Sequence, residues 1–299
     1  MPASTQTSVL RTVRDLVRWG ASQFRAAGLH FGHGTDNALD EAFHLVLHAL
    51  HLPSDLPALY LEAAVTNAER AAVLKLLQKR IKTRQPAAYL LGEIEFCGMP
   101  FTVDERVLVP RSPIGELIER HFAPWLQDAP QAVLDLCAGS GCIGIACAQV
   151  FPDAQVDLAE LSPGALEVCR ANIERHDCSD RVRALKSDLF AGLGEMRYDL
   201  IVSNPPYVPV AEWKALPAEF HNEPRMALAA GKDGMDIVAR ILAQAPQRLI
   251  EGGWLVCEVG GSVPEFEARW PDLPVTWVEF ERGGDGVFII SREDLIEHL

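Results

Sequence analysis

The apolar positions along the chain change period near residue 86. Before it they recur at helical spacing. Val9, Val13, Leu16, Val17 and Phe24 form one stripe, and Phe43, Val46, Leu47 and Leu50 form a second, on a helix that Thr35 or Asp36 would cap. Thr66 with Glu69 three residues later predicts a capping box, and Val73, Leu74, Leu77 and Ile81 supply the buried face of the helix it opens. The outer face of that helix carries Arg70, Lys75, Lys79, Arg80, Lys82 and Arg84. With no strand pattern among them, residues 1–86 read as a small all-helical domain.

Beyond Pro86 the period shortens to that of strands. Residues 94–96 and 101–103, separated by Gly98-Met99-Pro100, predict a hairpin. From Val133 short apolar runs alternate with helical stretches: residues 132–136, 156–158, 182–185, 198–202, 253–259, 275–280 and 287–290. That alternation predicts a doubly wound α/β domain, here spanning residues 87–299 with the hairpin at its start.

Composition narrows the class. Apolar residues make up 48% and charged residues 23%, which suits a globular chain and excludes a disordered or fibrous one. No apolar run approaches the ~20 residues of a membrane span, and the first residues lead into an arginine-rich amphipathic stretch, so a cytoplasmic location is expected. The seven cysteines contain no C-x-x-C pair, which speaks against a disulfide framework or a zinc knuckle and for small buried thiols. His44, His48 and His51 have metal-like helical spacing, but they adjoin the apolar stripe with only Asp40 and Glu41 nearby, and no metal is expected. The net charge of −14 divides into +3 over residues 1–86 and −17 over the remainder. Such a balance disfavours a generic nucleic-acid binder and suits a basic protein partner.

Two segments carry chemistry. Residues 133–144 run from a buried strand through Asp135, Cys137, Ala138, Gly139 and Gly141 into a helix. Gly139, Gly141 and Gly144 satisfy G-x-G-x-x-G, which leaves a nicotinamide or flavin dinucleotide open; a P-loop is excluded because no Gly-Lys-Ser/Thr follows. Asp135 at the strand end favours S-adenosylmethionine instead. Glu160 ends the next strand, 25 residues on, where an acid meets ribose hydroxyls, and Asp188 after the third strand is placed to accept from an adenine amino group.

The second segment is Asn204-Pro205-Pro206-Tyr207, which ends the strand that begins near Tyr198. Two prolines remove two backbone donors and push Asn204 out of the helical region, leaving an acceptor loop. An amide or exocyclic amino nitrogen is a poor nucleophile, because its lone pair is delocalised. Accepting both its N–H groups, on the Asn204 side-chain oxygen and the Pro205 carbonyl, would aim that lone pair at a sulfonium methyl, with Tyr207 stacked on the planar group. The same chemistry serves a protein amide or a nucleic-acid base, so methylation of an exocyclic amine in nucleic acid is the rival enzymatic reading. A non-catalytic ribosome-assembly binder, with the basic helix touching ribosomal RNA, is a third.

With these segments quoted, the chain resembles the bacterial protein glutamine N5-methyltransferases over essentially their full length. The resemblance implies a Rossmann-like class I methyltransferase domain with a seven-stranded, mostly parallel sheet, a helical substrate-recognition domain before it, and a connecting hairpin. Residues 107–117 (Val-Leu-Val-Pro-Arg-Ser-Pro-Ile-Gly-Glu-Leu), the Cys137 of the glycine turn and residues 281–288 look like the branch that modifies large-subunit ribosomal protein three, rather than the branch acting on peptide-chain release factors. Glu160 stands where many relatives have aspartate. The implied cofactor contacts are Asp135, Cys137, Ala138, Gly139, Gly141, Glu160, Leu161, Asp188, Leu189 and Asn204, with S-adenosylmethionine as cofactor. Asn204, Pro205 and Tyr207 are the implied catalytic residues, and Asn204, Pro205, Pro206, Tyr207 and Arg111 the substrate contacts. The implied partner is that ribosomal protein, free or within a pre-ribosomal particle.

Overall fold

A computed structural model describes residues 7–299 and divides into two compact units. The first comprises residues 1–92 together with Pro217–Asn222; the second holds Glu93–Leu216 and Glu223–Leu299. None of the described helices is long and apolar enough to cross a membrane.

The first unit is built on α1 (Val13–Ala26), α2 (Ala38–Ala49), α3 (Asn67–Thr83) and the short α4 (Ala87–Leu91). Thr12 and Asp15 form a capping box on α1, as Thr66 and Glu69 do on α3. The cap of α2 is Asn37 rather than Thr35 or Asp36: its backbone is extended and its side chain accepts from the Leu39 and Asp40 amides. Leu16, Phe24, Leu45, Val46, Val73 and Leu77 fill the core. Val9 precedes the helix and is 67% exposed, and Leu10 is buried in its stead.

The basic face expected on α3 is smaller than its composition implies. Arg80 is fully buried, because it follows Val73 and Leu77 at i+7 and i+3 on the inward stripe. It donates to Glu41 of α2 at 2.7 Å and to the His30 carbonyl at 3.1 Å. Arg84 is tied to Glu219 at 2.9 Å and to the Ala27 and Gly28 carbonyls. Lys75, Lys79 and Lys82 remain exposed.

The second unit opens with the hairpin β1 (Glu93–Phe96) and β2 (Met99–Thr102). Its turn is Cys97-Gly98, not Gly98-Met99-Pro100. Both turn residues have positive φ, 50° and 71°, and Met99 and Pro100 already pair with Phe96 and Glu95. This is the two-residue geometry that matches strand twist, with cysteine where asparagine or aspartate is usual.

After α5 (Ile114–Glu119) come β3 (Ala132–Leu136), α6 (Cys142–Val150), β4 (Gln155–Glu160), α7 (Pro163–Arg175), β5 (Val182–Lys186), β6 (Tyr198–Ser203), the one-turn α8 (Val210–Trp213), α9 (Asp236–Arg248), β7 (Leu249–Glu258), α10 (Val263–Arg269), β8 (Thr276–Trp277), β9 (Val287–Ser291) and α11 (Arg292–His298). The seven strands lie in the order β5-β4-β3-β6-β7-β9-β8, parallel from β5 through β7, with β9 antiparallel to both its neighbours. It is the seven-stranded class I methyltransferase sheet. Successive residues of β3 enter opposite layers: Val133 packs with Ile145 and Cys147, and Leu134 packs with Ile241 and Leu242. A parallel strand covered on both faces is therefore apolar throughout rather than alternating. The strand expected over 275–280 shrinks to Thr276–Trp277, and that over 253–259 lengthens backward to Leu249.

Candidate active site

The strand order reverses between β3 and β6, and in an open α/β sheet ligands lie beyond the carboxyl ends of the strands at that reversal. A cavity of about 350 Å³ sits there. Cys137 and Gly139 line it after β3, Glu160 and Leu161 after β4, Asp188 and Leu189 after β5, and Asn204 and Pro206 after β6. The wall also takes in Val107 and Leu108, quoted above only for the resemblance, and residues the sequence reading passed over: Arg106 after the hairpin, Pro224, Met226, Ala227, Ala229, Ala230 and Gly231 in a long loop, and Asp236 and Ile237 of α9. No periodicity marks such loops. The long loop is held to the Asn-Pro-Pro-Tyr segment by backbone bonds, Val208 N–H to the Leu228 carbonyl and Ala230 N–H to the Val208 carbonyl, both at 2.9 Å.

Asp135, Ala138 and Gly141 are not on the cavity wall; they shape the turn beneath it. Asp135 is buried and accepts the Gly144 N–H at 2.9 Å, so its carboxylate braces the first turn of α6. Burial outweighs that bond and pushes the Asp135 carboxyl up to about 8. Gly144 is required because a Cβ there would lie 2.1 Å from Leu158 Cδ2, so the last glycine of the G-x-G-x-x-G pattern serves helix–sheet packing. Cys137 has φ 59°, a left-handed backbone that favours glycine, and lines the cavity.

The two acids on the wall are held differently. Glu160 is buried, with one oxygen accepting from Gly139 N–H at 2.9 Å and the other from Ser162 N–H at 2.7 Å. Each oxygen retains a second lone pair for a ligand hydroxyl. Asp188 is half-exposed and paired with Arg240 at 2.8 Å.

A second, much smaller cavity of about 20 Å³ adjoins the first. Leu108, Arg111, Asn204, Pro205, Tyr207 and Glu258 are among its walls, so Asn204 borders both spaces. Ser203 fixes the approach to this loop by donating to the Leu136 carbonyl at 2.9 Å. Tyr207 is held at three points: its hydroxyl donates to Glu258 at 2.8 Å, its carbonyl accepts from the Ser262 hydroxyl at 2.9 Å, and its ring lies where a Cβ on Gly260 would approach to 2.7 Å. Burial and the neighbouring Glu258 carboxylate raise the phenol's pKa well above its ordinary value, so it keeps the proton it donates. Arg111 reaches this wall, but its guanidinium is taken in a bidentate pair by Glu223, at 2.7 and 2.9 Å, and Glu223 also accepts from Val109 N–H.

Glu258, at the carboxyl end of β7, is the one ionisable group of this cavity the sequence reading missed. A carboxylate ending an apolar strand is the same signal that drew attention to Asp135 and Glu160. Among the described residues no group of His, Cys, Asp and Glu could hold a metal ion, and His44, His48 and His51 are exposed.

This sheet and this strand-end crevice define a methyltransferase domain, and residues 119–261 match the family model described as Methyltransferase small domain. Two curated relatives are each named "Ribosomal protein uL3 glutamine methyltransferase". One, from Francisella tularensis subsp. tularensis, is 44% identical over 97% of this chain and 93% of its own. The other, from Xanthomonas campestris pv. campestris, is 50% identical over 97% and 94%. The chain belongs to the family of ribosomal protein uL3 glutamine methyltransferases. Among solved structures it is similar to a methyltransferase from Pyrococcus furiosus, at 21% identity over 65% of this chain and 89% of that one, with a TM-score of 0.48.

Proposed function

We propose that the protein transfers a methyl group from S-adenosylmethionine to the side-chain nitrogen of a glutamine in ribosomal protein uL3, in the cytoplasm, with the helical unit contributing to recognition of that substrate. The observation that carries the reading is that Asn204 borders both cavities, one large enough for a nucleoside and one sized for a few atoms. The names of the two relatives supply the substrate.

The larger cavity fits the cofactor. Leu108, Leu161, Leu189 and Ile237 offer apolar walls to an adenine ring, and Glu160 offers lone pairs to the ribose hydroxyls. Asp188 has one oxygen on Arg240 and the other for an adenine amino group. Glu160 and Asp236 make the wall acidic, with Asp188 balanced by Arg240, which suits a cationic sulfonium and opposes the pyrophosphate of a dinucleotide; Arg106 is already bound by Asp104 and Glu167. S-adenosylmethionine supplies an activated methyl group on a good leaving group.

The chain's own part is to make an amide nitrogen reactive. The amide lone pair is delocalised with a rotation barrier of ~18–20 kcal/mol. The Asn204 side-chain oxygen and the Pro205 carbonyl accept the two N–H groups, fix the nitrogen's orientation and stabilise the positive charge that grows on it. By analogy with one oxyanion-hole donor, each such contact contributes on the order of 10² to 10³ in rate. Tyr207, anchored through Glu258 and Ser262, presents a fixed ring to the planar carboxamide. The decisive experiment supplies labelled cofactor with purified uL3, a release factor or nucleic acid. Label on a uL3 glutamine, lost with Asn204→Ala, is expected; label on either of the other substrates, with none on uL3, would overturn the reading.

A further inference from the structure

Glutamine and glutamate are nearly isosteric, and a pocket cannot reject an isostere strongly by shape alone. A carboxylate is also a competent methyl acceptor. Its oxygen can attack the methyl carbon, the carbon–sulfur bond breaks with its electron pair going to sulfur, and a methyl ester forms with no proton to lose. A site that methylates the amide must therefore turn the acid away by charge.

We propose that Glu258 makes the acceptor cavity selective for an uncharged carboxamide and closes it to a carboxylate side chain. The inference rests on the glutamine reading above and names the residue that enforces it. Glu258 is buried at the wall of the small cavity, 5% exposed. Both its oxygens are held by hydroxyls: Ser112 at 2.5 Å and Tyr207 at 2.8 Å. Ser112 Oγ already accepts from Ile114 N–H, which leaves its own proton for Glu258. Burial raises the Glu258 carboxyl above the usual carboxylate range, and the two hydroxyl donors and the nearby Arg111 oppose that rise. In the proposed function the Asn204 side-chain oxygen and the Pro205 carbonyl, from two residues of this wall, are acceptors too. Its single cation, Arg111, is paired bidentately with Glu223. The cavity thus accepts N–H donors, and a carboxylate beside Glu258 enters only with the uptake of a proton, since two carboxylates sharing one desolvated site cannot both ionise.

The test uses the full chain and full-length uL3, once mass spectrometry has located the methylated glutamine, beside uL3 carrying Gln→Glu at that position. Competition binding without cofactor and methyl transfer with it are both measured. Wild type should favour the glutamine form by on the order of 10- to 100-fold, since like-charge juxtaposition costs several kcal/mol. Glu258→Gln should collapse that ratio and begin to form a base-labile methyl ester on the glutamate form. Tyr207→Phe, which removes a donor but not the charge, should slow transfer and leave a ratio well above that of Glu258→Gln. Equal loss of both substrates in Glu258→Gln, with the ratio unchanged, would reduce Glu258 to a structural residue and overturn the proposal. So would a wild-type protein that binds both forms alike, a measurement that needs no variant to fold. Failure of wild type to methylate native uL3 at all would overturn the functional reading itself, before any ratio is compared.

Discussion

The core of the helical unit and the crevice of the catalytic unit bury charge differently. In the helical unit Arg80 and Glu41 meet as a buried ion pair, with Glu219 and Arg84 extending it. At the crevice of the catalytic unit Glu160 and Glu258 are buried and held by backbone amides and hydroxyls, while Asp135 beneath it accepts one backbone amide and its other oxygen has no hydrogen-bond partner. The pair in the first unit holds helices together, with Arg80 joined to Glu41 and to the His30 carbonyl. Glu160 and Glu258, which line the two cavities, keep lone pairs for whatever enters the crevice. A buried acid joined to a counter-ion serves architecture, as Glu223 does with Arg111 even beside the crevice, whereas Glu160 and Glu258, held by amides and hydroxyls at the strand ends, face the crevice.

The largest expected effect breaks the first half of that comparison. Arg80→Ala leaves Glu41 buried and unpaired, which should cost about 3–5 kcal/mol in denaturant unfolding of the helical unit. Replacing both, as Arg80→Met with Glu41→Leu, should recover most of that loss, because a packed apolar pair needs no compensation. Asn204→Ala tests the other half. The side chain lies at the cavity edge rather than in the core, so kcat/KM for uL3 should fall by roughly 10²- to 10³-fold with the melting temperature nearly unchanged. Gly144→Ala should destabilise by about 1–3 kcal/mol through overpacking against Leu158, a loss read by calorimetry.

The smallest effect is a pH slope. Asp135 is pushed from an ordinary carboxylate value to about 8 in the folded protein, so the folded state holds a proton that the unfolded chain has released. Its contribution is fully present below about pH 4 and is lost as pH rises toward about 8. Asp135→Asn cannot titrate, so its melting temperature should decline less between those limits than that of wild type. An identical decline in both proteins would mean that Asp135 is ionised throughout and that α6 stabilises the anion.

Much of this was legible in the chain alone. The central strand 132–136 was read to the residue, because a strand buried on both faces is a continuous apolar run bounded by a glycine turn. The loops were not: the Cys97-Gly98 turn uses a residue outside the usual turn set, and Asn37 caps α2 from a run in which Thr35 and Asp36 are equally plausible by type. Arg80 was placed on the outer face because its residue type argues for exposure, while its spacing from Val73 and Leu77 argued for burial, and the spacing won.

What the sequence determined by itself is local: helix stripes, strand runs, the glycine turn after β3 and an acceptor loop stiffened by Pro205 and Pro206. These follow from side-chain periodicity and backbone stereochemistry over a few residues. Only the tertiary structure decided that Arg111 belongs to Glu223 and that Glu258 stands behind Tyr207, partners 112 and 51 positions apart. Such pairings depend on where the folded sheet brings its strand ends together, and no short-range pattern carries that information.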